Sequence, residues 1–575
     1  MLQTNKKGYK ELLMQRMFLA IISTIVIQFC LMSTLLLITN LNTNYESWLQ
    51  STWTAITSFR MWSFFCILAT VTFFQGIICC KSFSNTPPYM KSRFAKFCGT
   101  LTSQNILLCT LHVINGGLLV WLHLLVKEGT YSFLTTECKI VYGTCLIEKQ
   151  YILFLSGFWS GLYFFLKTSI FRVNYLKFPI ISLSKMFQFK TKMYSILPSV
   201  MVKCIWPVLY YLVIYYFLGS YCRSIILFLT SAQLENESLS SIPNLLSLSL
   251  MFQLWLYHLT YVLTIETMYL LFNLYLTEWV PFDLRQSHSF SNDDSGISLP
   301  EALSMVKIPI MQQLGYLDLV TMAQKEKSRR DVLFTLSQPG GHPYNWNCIV
   351  EKCISLIKKF SNDVNLACTR TQEPLTTPIS TTITKSTAVQ TEYVYRMRNL
   401  VTVEPPVSAQ QDEIKQYVEN ELFIQKFIKT KWNNFLTYLL SKPLIAYIFG
   451  EIEGGQVCYI LFNGQSIIWA AEAISSLAVL SLNEDSYGIV QKDLPLIINT
   501  LLGLKQTLDK LQKSNIMTKK QEEDDKFIKQ IFQSLCATAK RSIYRIVINF
   551  EAYIEDLALE PAAIEHLNHF LLCRE

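Results

Sequence analysis

The chain has 575 residues, of which 51% are hydrophobic and only 16% charged, with a mean hydropathy of +0.28. Soluble domains carry roughly 25% charged residues, so this balance excludes a wholly soluble enzyme and equally a disordered or collagen-like chain. The net charge of +8 is unevenly divided: residues 1–271 hold 20 Lys and Arg against 8 Asp and Glu, and the remaining 304 hold 30 against 34.

Six apolar stretches precede residue 275: Met17–Ile38, Met61–Cys80, Ile106–Val126, Tyr151–Ile170, Cys204–Leu218 and Leu246–Leu271. Most approach the ~20 residues that a helix needs to cross a bilayer. The fifth is shortest, with room to extend back through Pro198 and Pro207 or forward toward Leu229. The first follows Lys6, Lys7, Lys10 and Arg16 and is too long for a cleaved signal, so it reads as a retained signal-anchor.

The connections set the orientation. The N-terminus, the second connection (Lys81, Lys91, Arg93, Lys96) and the fourth (Lys167, Arg172, Lys177, Lys185, Lys190, Lys192, Lys203) place 15 basic residues on one side. The other side holds only Arg60, Lys127, Lys139, Lys149 and Arg223. Basic loops face the cytosol, so both termini are expected on the cytosolic or nucleoplasmic side. The lumenal loops then carry a glycosylation sequon at Asn236-Glu237-Ser238 and a candidate disulfide pair, Cys138 and Cys145. In the fourth connection, Arg172, Lys177, Lys185, Lys190 and Lys192 alternate with aromatics. That pattern suits either contact with anionic headgroups or an ordinary basic loop. Cys79-Cys80 is a candidate for S-palmitoylation or for simple packing.

A transporter or channel is the alternative reading. It would use ionisable groups at membrane depth, and the candidates are Glu266, His112, His123 and His258. Gly116-Gly117 could break the third helix for that purpose, but close packing between helices is the expected role.

After Pro281 the hydrophobic density falls. Residues 285–300 read as a linker, and residues 300–330 have helical spacing followed by the basic cluster Lys325, Lys327, Arg329 and Arg330. Pro339-Gly340-Gly341-His342-Pro343 then reads as a structured turn ahead of a helix that begins near Trp346. The sequence nominates no catalytic partner for His342, and neither a phosphate loop nor a nucleophile elbow is spelled out. Residues 367–410 form a Thr/Ser/Pro-rich linker. Beyond it helices are expected over Ile414–Leu440, Gln465–Leu482, a segment capped near Asn483-Glu484-Asp485, Phe527–Ile554 and Pro561–Leu572, with Val457–Phe462 as an alternative short strand. The expected fold is therefore all-α: six membrane helices over 1–280, a helical junction over 281–366, the linker, and a helical bundle over 411–575. No catalytic, cofactor or metal residues emerge, and no CxxC pair occurs.

Phe334–Trp346 (FTLSQPGGHPYNW) resembles the signature of the transmembrane nucleoporins of the nuclear-division-cycle family. Similar segments follow in order along the chain: GTYSFL at 129–134, LKFPII at 176–181, YYFLG at 215–219, Trp469–Leu477, Tyr487–Leu504 and SIYR at 542–545. The resemblance implies a non-enzymatic six-helix protein that anchors the nuclear pore complex in the envelope and recruits soluble nucleoporins. It implies as partners membrane lipids, an Aladin-type β-propeller nucleoporin and a linker nucleoporin with an RNA-recognition-motif-like domain. No cofactor and no direct nucleic acid contact is implied.

Overall fold

The computed structural model describes residues 8–41, 44–84, 89–128, 134–137, 144–168, 176, 178, 184–230, 233–234, 242–284, 297–336, 341–372, 438, 442–451, 454–514, 524–554 and 556–571. The first half consists of α1 (Tyr9–Thr39), α2 (Tyr45–Thr57), α3 (Phe59–Ser84), α4 (Arg93–Thr100), α5 (Ser103–Glu128), α6 (Glu148–Leu166), α7 (Lys185–Lys203), α8 (Ile205–Thr230), α9 (Ile242–Leu245) and α10 (Leu248–Leu276). The second half holds α11 (Leu299–Ser304), α12 (Pro309–Lys325), α13 (Lys327–Leu333), α14 (Tyr344–Gln372), α15 (Pro443–Phe449), α16 (Gly455–Phe462), α17 (Gly464–Glu484), α18 (Ile489–Lys513), α19 (Asp524–Asn549) and α20 (Pro561–Leu571).

Among the described residues, six helical segments are long and apolar enough to cross a membrane: Tyr9–Thr39, Phe59–Ser84, Ser103–Lys127, Lys185–Phe228, Leu248–Leu276 and Gly464–Glu484. The last differs from expectation. It is α17, and 72% of its apolar window is buried in the protein. Its small-residue face, Ala470, Ala471, Ala473, Ser475 and Ala478, packs against α12, α14 and α19, so its hydropathy is that of a core helix. The expected fourth stretch is α6, which has 19 residues and begins at Glu148 and Lys149. The fifth stretch extends forward, as α8, to Thr230. It is almost continuous with α7, which carries Pro198 inside it.

Helices α5 and α6 approach most closely. A Cβ on Gly157 would lie 2.5 Å from the Gly116 carbonyl oxygen, and one on Gly161 would collide with the His112 carbonyl. Glycine removes the side chains that would hold the backbones apart, and α5 stays unbroken through Gly116-Gly117. Beyond the other ends of these helices, β1 (Thr135–Glu137), β2 (Thr144–Leu146) and β3 (Gln233–Leu234) form a small sheet. β2 is antiparallel to β1 and parallel to β3, so it joins the third and fifth connections. Periodicity does not foresee strands this short.

The expected helix over residues 300–330 is three helices. Ser298 and Glu301 form a reciprocal capping box that starts α11. Pro309 starts α12, because a proline N–H is not needed in the first turn. Val457–Phe462 belongs to the helix α16, not to a strand. Asp485 accepts hydrogen bonds from the N–H groups of Tyr487 (3.1 Å) and Val490 (2.9 Å) and so tethers the start of α18, where Gly488 has φ +65°. The expected helix over Ile414–Leu440 falls outside the described residues, apart from Tyr438.

Candidate functional site at the junction of the two halves

Asp318 lies in the apolar run Leu314–Met322 of α12 and is fully buried. A buried carboxylate is costly unless it is paired and hydrogen-bonded. Here it receives the Trp279 indole N–H (3.1 Å), the Phe282 backbone N–H (3.0 Å) and two guanidinium N–H groups of Arg329 (2.9 and 2.6 Å). Arg329 also donates to the Phe282 carbonyl (2.6 Å) and to Glu326 (2.8 Å). Burial pulls the Arg329 pKa down, but the bonds and charge of Asp318 outweigh it and leave the guanidinium above its ordinary value. Trp279 and Phe282 are the residues that leave α10, so one carboxylate fixes the exit of the membrane helices against α12 and α13.

A second cluster braces the exit from within the membrane half, and two further contacts cross the boundary itself. Glu278, just beyond α10, is 2.6 Å from the Lys185 ammonium, and its carbonyl accepts from Arg16 at 2.7 Å. The starts of α1 and α7 thus meet the end of α10. Phe178 is buried edge-on against Trp469 of α17, with ring centroids 5.4 Å apart. Arg93 of α4 stacks 3.9 Å above the Tyr447 ring of α15 and donates to its carbonyl at 2.9 Å.

Inside the bundle, Arg330 donates to both carboxylate oxygens of Glu484, each at 2.9 Å. That bond holds the Glu484 carboxyl below its ordinary range, and the Arg330 pKa is raised in return. Arg329 and Arg330 therefore face inward, where the sequence shows only a basic cluster. Trp346 is fully buried, donates to Asp493 (2.9 Å) and lies 5.8 Å from the Phe334 ring. The Pro343 carbonyl accepts from Asn347 (3.0 Å) as α14 begins, and His342 is exposed. Gly341 is described; Pro339 and Gly340 lie outside the described residues. An open groove of about 820 Å³ runs between α14 and α18, lined by Lys358, Lys359, Asn362, Asp363 and Lys492 among others.

The remaining candidates fall as follows. Lys190 is exposed, Lys192 half-buried, and Lys185 paired with Glu278. Arg172, Lys177, Cys138 and the sequon at Asn236 lie outside the described residues. Cys145 is disulfide-bonded, and Cys79 and Cys80 are buried against neighbouring helices. The membrane histidines bond across helices: His112 to Tyr261 (2.6 Å) and Gln75 (2.9 Å), His123 to Tyr257 (2.7 Å) and Thr39 (2.8 Å), His258 to Ser160 (2.9 Å). Glu148 pairs with Arg223. Among the described residues no group of three or more His, Cys, Asp or Glu is placed to hold a metal ion.

The family described as Nucleoporin protein Ndc1-Nup matches residues 11–568. The chain belongs to this nucleoporin family. It is 24% identical to Nucleoporin NDC1 of Homo sapiens over 92% of each chain, and 25% identical to that of Xenopus laevis over 92% of this chain and 93% of the relative. Nucleoporin Ndc1 of Drosophila melanogaster is 22% identical, covering all of this chain and 99% of the relative. As a member of the Ndc1-Nup family the chain is a nuclear pore membrane nucleoporin, a structural component and not an enzyme. The family match spans both halves, and so do the contacts at Asp318, Phe178 and Arg93. Asp318 itself escapes notice in the sequence, although a lone carboxylate inside an apolar helical stripe is a signal. The Gly157-x-x-x-Gly161 spacing is a second, since it marks close helix packing in an apolar segment.

Proposed function

We propose that this nucleoporin anchors the nuclear pore complex in the envelope and recruits soluble nucleoporins through its C-terminal bundle. Both termini and the bundle face the cytosolic or nucleoplasmic side, as the distribution of basic residues indicates. The Asp318 hub is the observation that carries the reading: a scaffold must hold its docking domain rigidly against its membrane helices, and four hydrogen bonds on one buried carboxylate do so. The groove between α14 and α18 supplies a recruiting surface. Its partners are an Aladin-type β-propeller nucleoporin and a linker nucleoporin with an RNA-recognition-motif-like domain. Basic residues of the fourth connection, Lys190 and Lys192 among them, lie against headgroups.

Proximity labelling from the C-terminus tests the proposal. Labelling dominated by pore subunits is expected, and Lys358→Glu with Lys359→Glu should deplete the soluble ones while leaving rim localisation intact. Labelling dominated by unrelated envelope proteins would overturn the assignment.

A further inference from the structure

Helices α4 and α15 hold together an apolar surface that neither half buries. Neither helix has a buried residue. Phe94 and Phe97 of α4 are 44% and 49% exposed, and Leu444, Ile448 and Phe449 of α15 are 76%, 41% and 49% exposed. Aromatic and branched apolar side chains left in water at this density need a covering phase.

The chain itself says which one. Only Leu101 and Thr102 separate α4 from α5. Three Cα steps reach at most ~11 Å, and the Asn105 amide of α5 donates to the Gly99 carbonyl of α4 at 3.4 Å. Helix α4 is thus fixed at the end of a membrane span. The exposed apolar surface is continuous there: Leu101 leads to Ile106, Leu107 and Ile114, all exposed along α5. Helix α15 is fastened to α4 by the Arg93–Tyr447 stack, by Phe94 against Phe449 (4.7 Å), and by Tyr89 donating to Glu451 (3.2 Å). Lys91, Arg93 and Lys442, exposed on the same pair, suit a phosphate-bearing surface.

We propose that α4 and α15 form a membrane-surface paddle, with Phe94, Phe97, Leu101, Leu444, Ile448 and Phe449 seated in the headgroup region of the bilayer that α5 crosses. The C-terminal half then has its own interfacial attachment, supplied by a segment more than 160 residues after the last membrane helix. The inference rests on α5 lying in the bilayer and is independent of which nucleoporins the bundle recruits.

The test uses the full chain in phosphatidylcholine vesicles, with benzoylphenylalanine introduced singly at Leu444, Ile448, Ile114 and Tyr487. Ile114 reports the span, and Tyr487 is an exposed position of the bundle. After irradiation, lipid adducts are expected at Leu444, Ile448 and Ile114 and not at Tyr487. Adducts at Ile114 alone would overturn the paddle, as would protein cross-links at Leu444 and Ile448 in place of lipid, which would assign the surface to a second copy. The pair Arg93→Ala and Phe94→Ala should release α15, reducing lipid adducts at Ile448 to the Tyr487 level with Ile114 unchanged. Adducts at Ile448 that survive this change would refute the role of α4.

Discussion

Replacing Asp318 by alanine removes the acceptor for four hydrogen bonds at once. Breaking a buried ion pair by deleting one partner costs ~3–5 kcal/mol, because the surviving charge stays in the interior. Orphaned donors would add to this, at about 1–3 kcal/mol each if fully buried. Several soften the loss here: Arg329 keeps Glu326 and the Phe282 carbonyl, and Trp279 is partly exposed. The expected total therefore stays at ~3–5 kcal/mol. In a unit of 150–250 residues each kcal/mol moves the midpoint by ~2–4 °C, so the loss corresponds to about 6–20 °C. Thermal unfolding of the detergent-solubilised full chain, followed by tryptophan near-UV dichroism, measures it. Glu351→Ala, at an exposed acid of α14, should stay within ~0.5 kcal/mol of the parent and controls for charge alone. An Asp318→Ala chain melting within ~2 °C of the parent would refute the hub.

Trp346→Phe keeps the ring against Phe334 but loses the bond to Asp493, so it should cost ~1.5–3 kcal/mol in the same melt, less than Trp346→Ala at ~3–5. Gly157→Ala puts a Cβ 2.5 Å from the Gly116 carbonyl, so α5 and α6 must part by about an ångström to regain ordinary contact near ~3.5 Å. Lower yield and weaker cross-linking between α5 and α6 should follow, with Ser156→Ala as the control. The Glu484 carboxyl is depressed in the folded state, so its bond to Arg330 stabilises above the unfolded carboxylate value and is lost as pH falls through the folded one. Glu484→Gln should therefore lower the melting temperature at pH 7 and flatten its fall below about pH 4.5; an unchanged acid limb in the variant would contradict the pairing.

The membrane helices were legible because the bilayer imposes length and apolarity on contiguous residues, which a single sequence displays directly. Length and apolarity alone would also select α17, which the sequence reading places in the bundle; its alanine-rich face is apolar for a different reason, because other helices cover it. Composition cannot distinguish a helix surrounded by lipid from one surrounded by protein. Trp346 was legible as part of a motif, yet its partner Asp493 is 147 residues away and announced by no local pattern. The pairing of Arg330 with Glu484 crosses 154 residues, and the contact of Phe178 with Trp469 crosses the linker as well. Boundaries and caps follow local chemistry, as Ser298, Pro309 and Asp485 illustrate. The junction follows tertiary placement, which no local pattern encodes.

In the anchoring role proposed above, any pull on the docking domain must pass to the bilayer without tearing at the connection. A chain running only from Phe282 into α11 would let the bundle swing and would load α10 alone. Four contacts distribute that load. Glu278 engages α1 and α7, Phe178 comes from the connection between α6 and α7, and α4 ties α5 to α15. A pull on the bundle therefore reaches α1, α5, α6, α7 and α10 together, and each is held by apolar area that extraction would expose to water. Glu278 ties the covalent exit back to α1 and α7, whereas Asp318 joins that exit to the bundle, through Trp279 and Phe282. Its loss should leave the membrane helices inserted while the bundle gains freedom, separating rim localisation from recruitment, whereas damage at the α5–α6 glycines should abolish both.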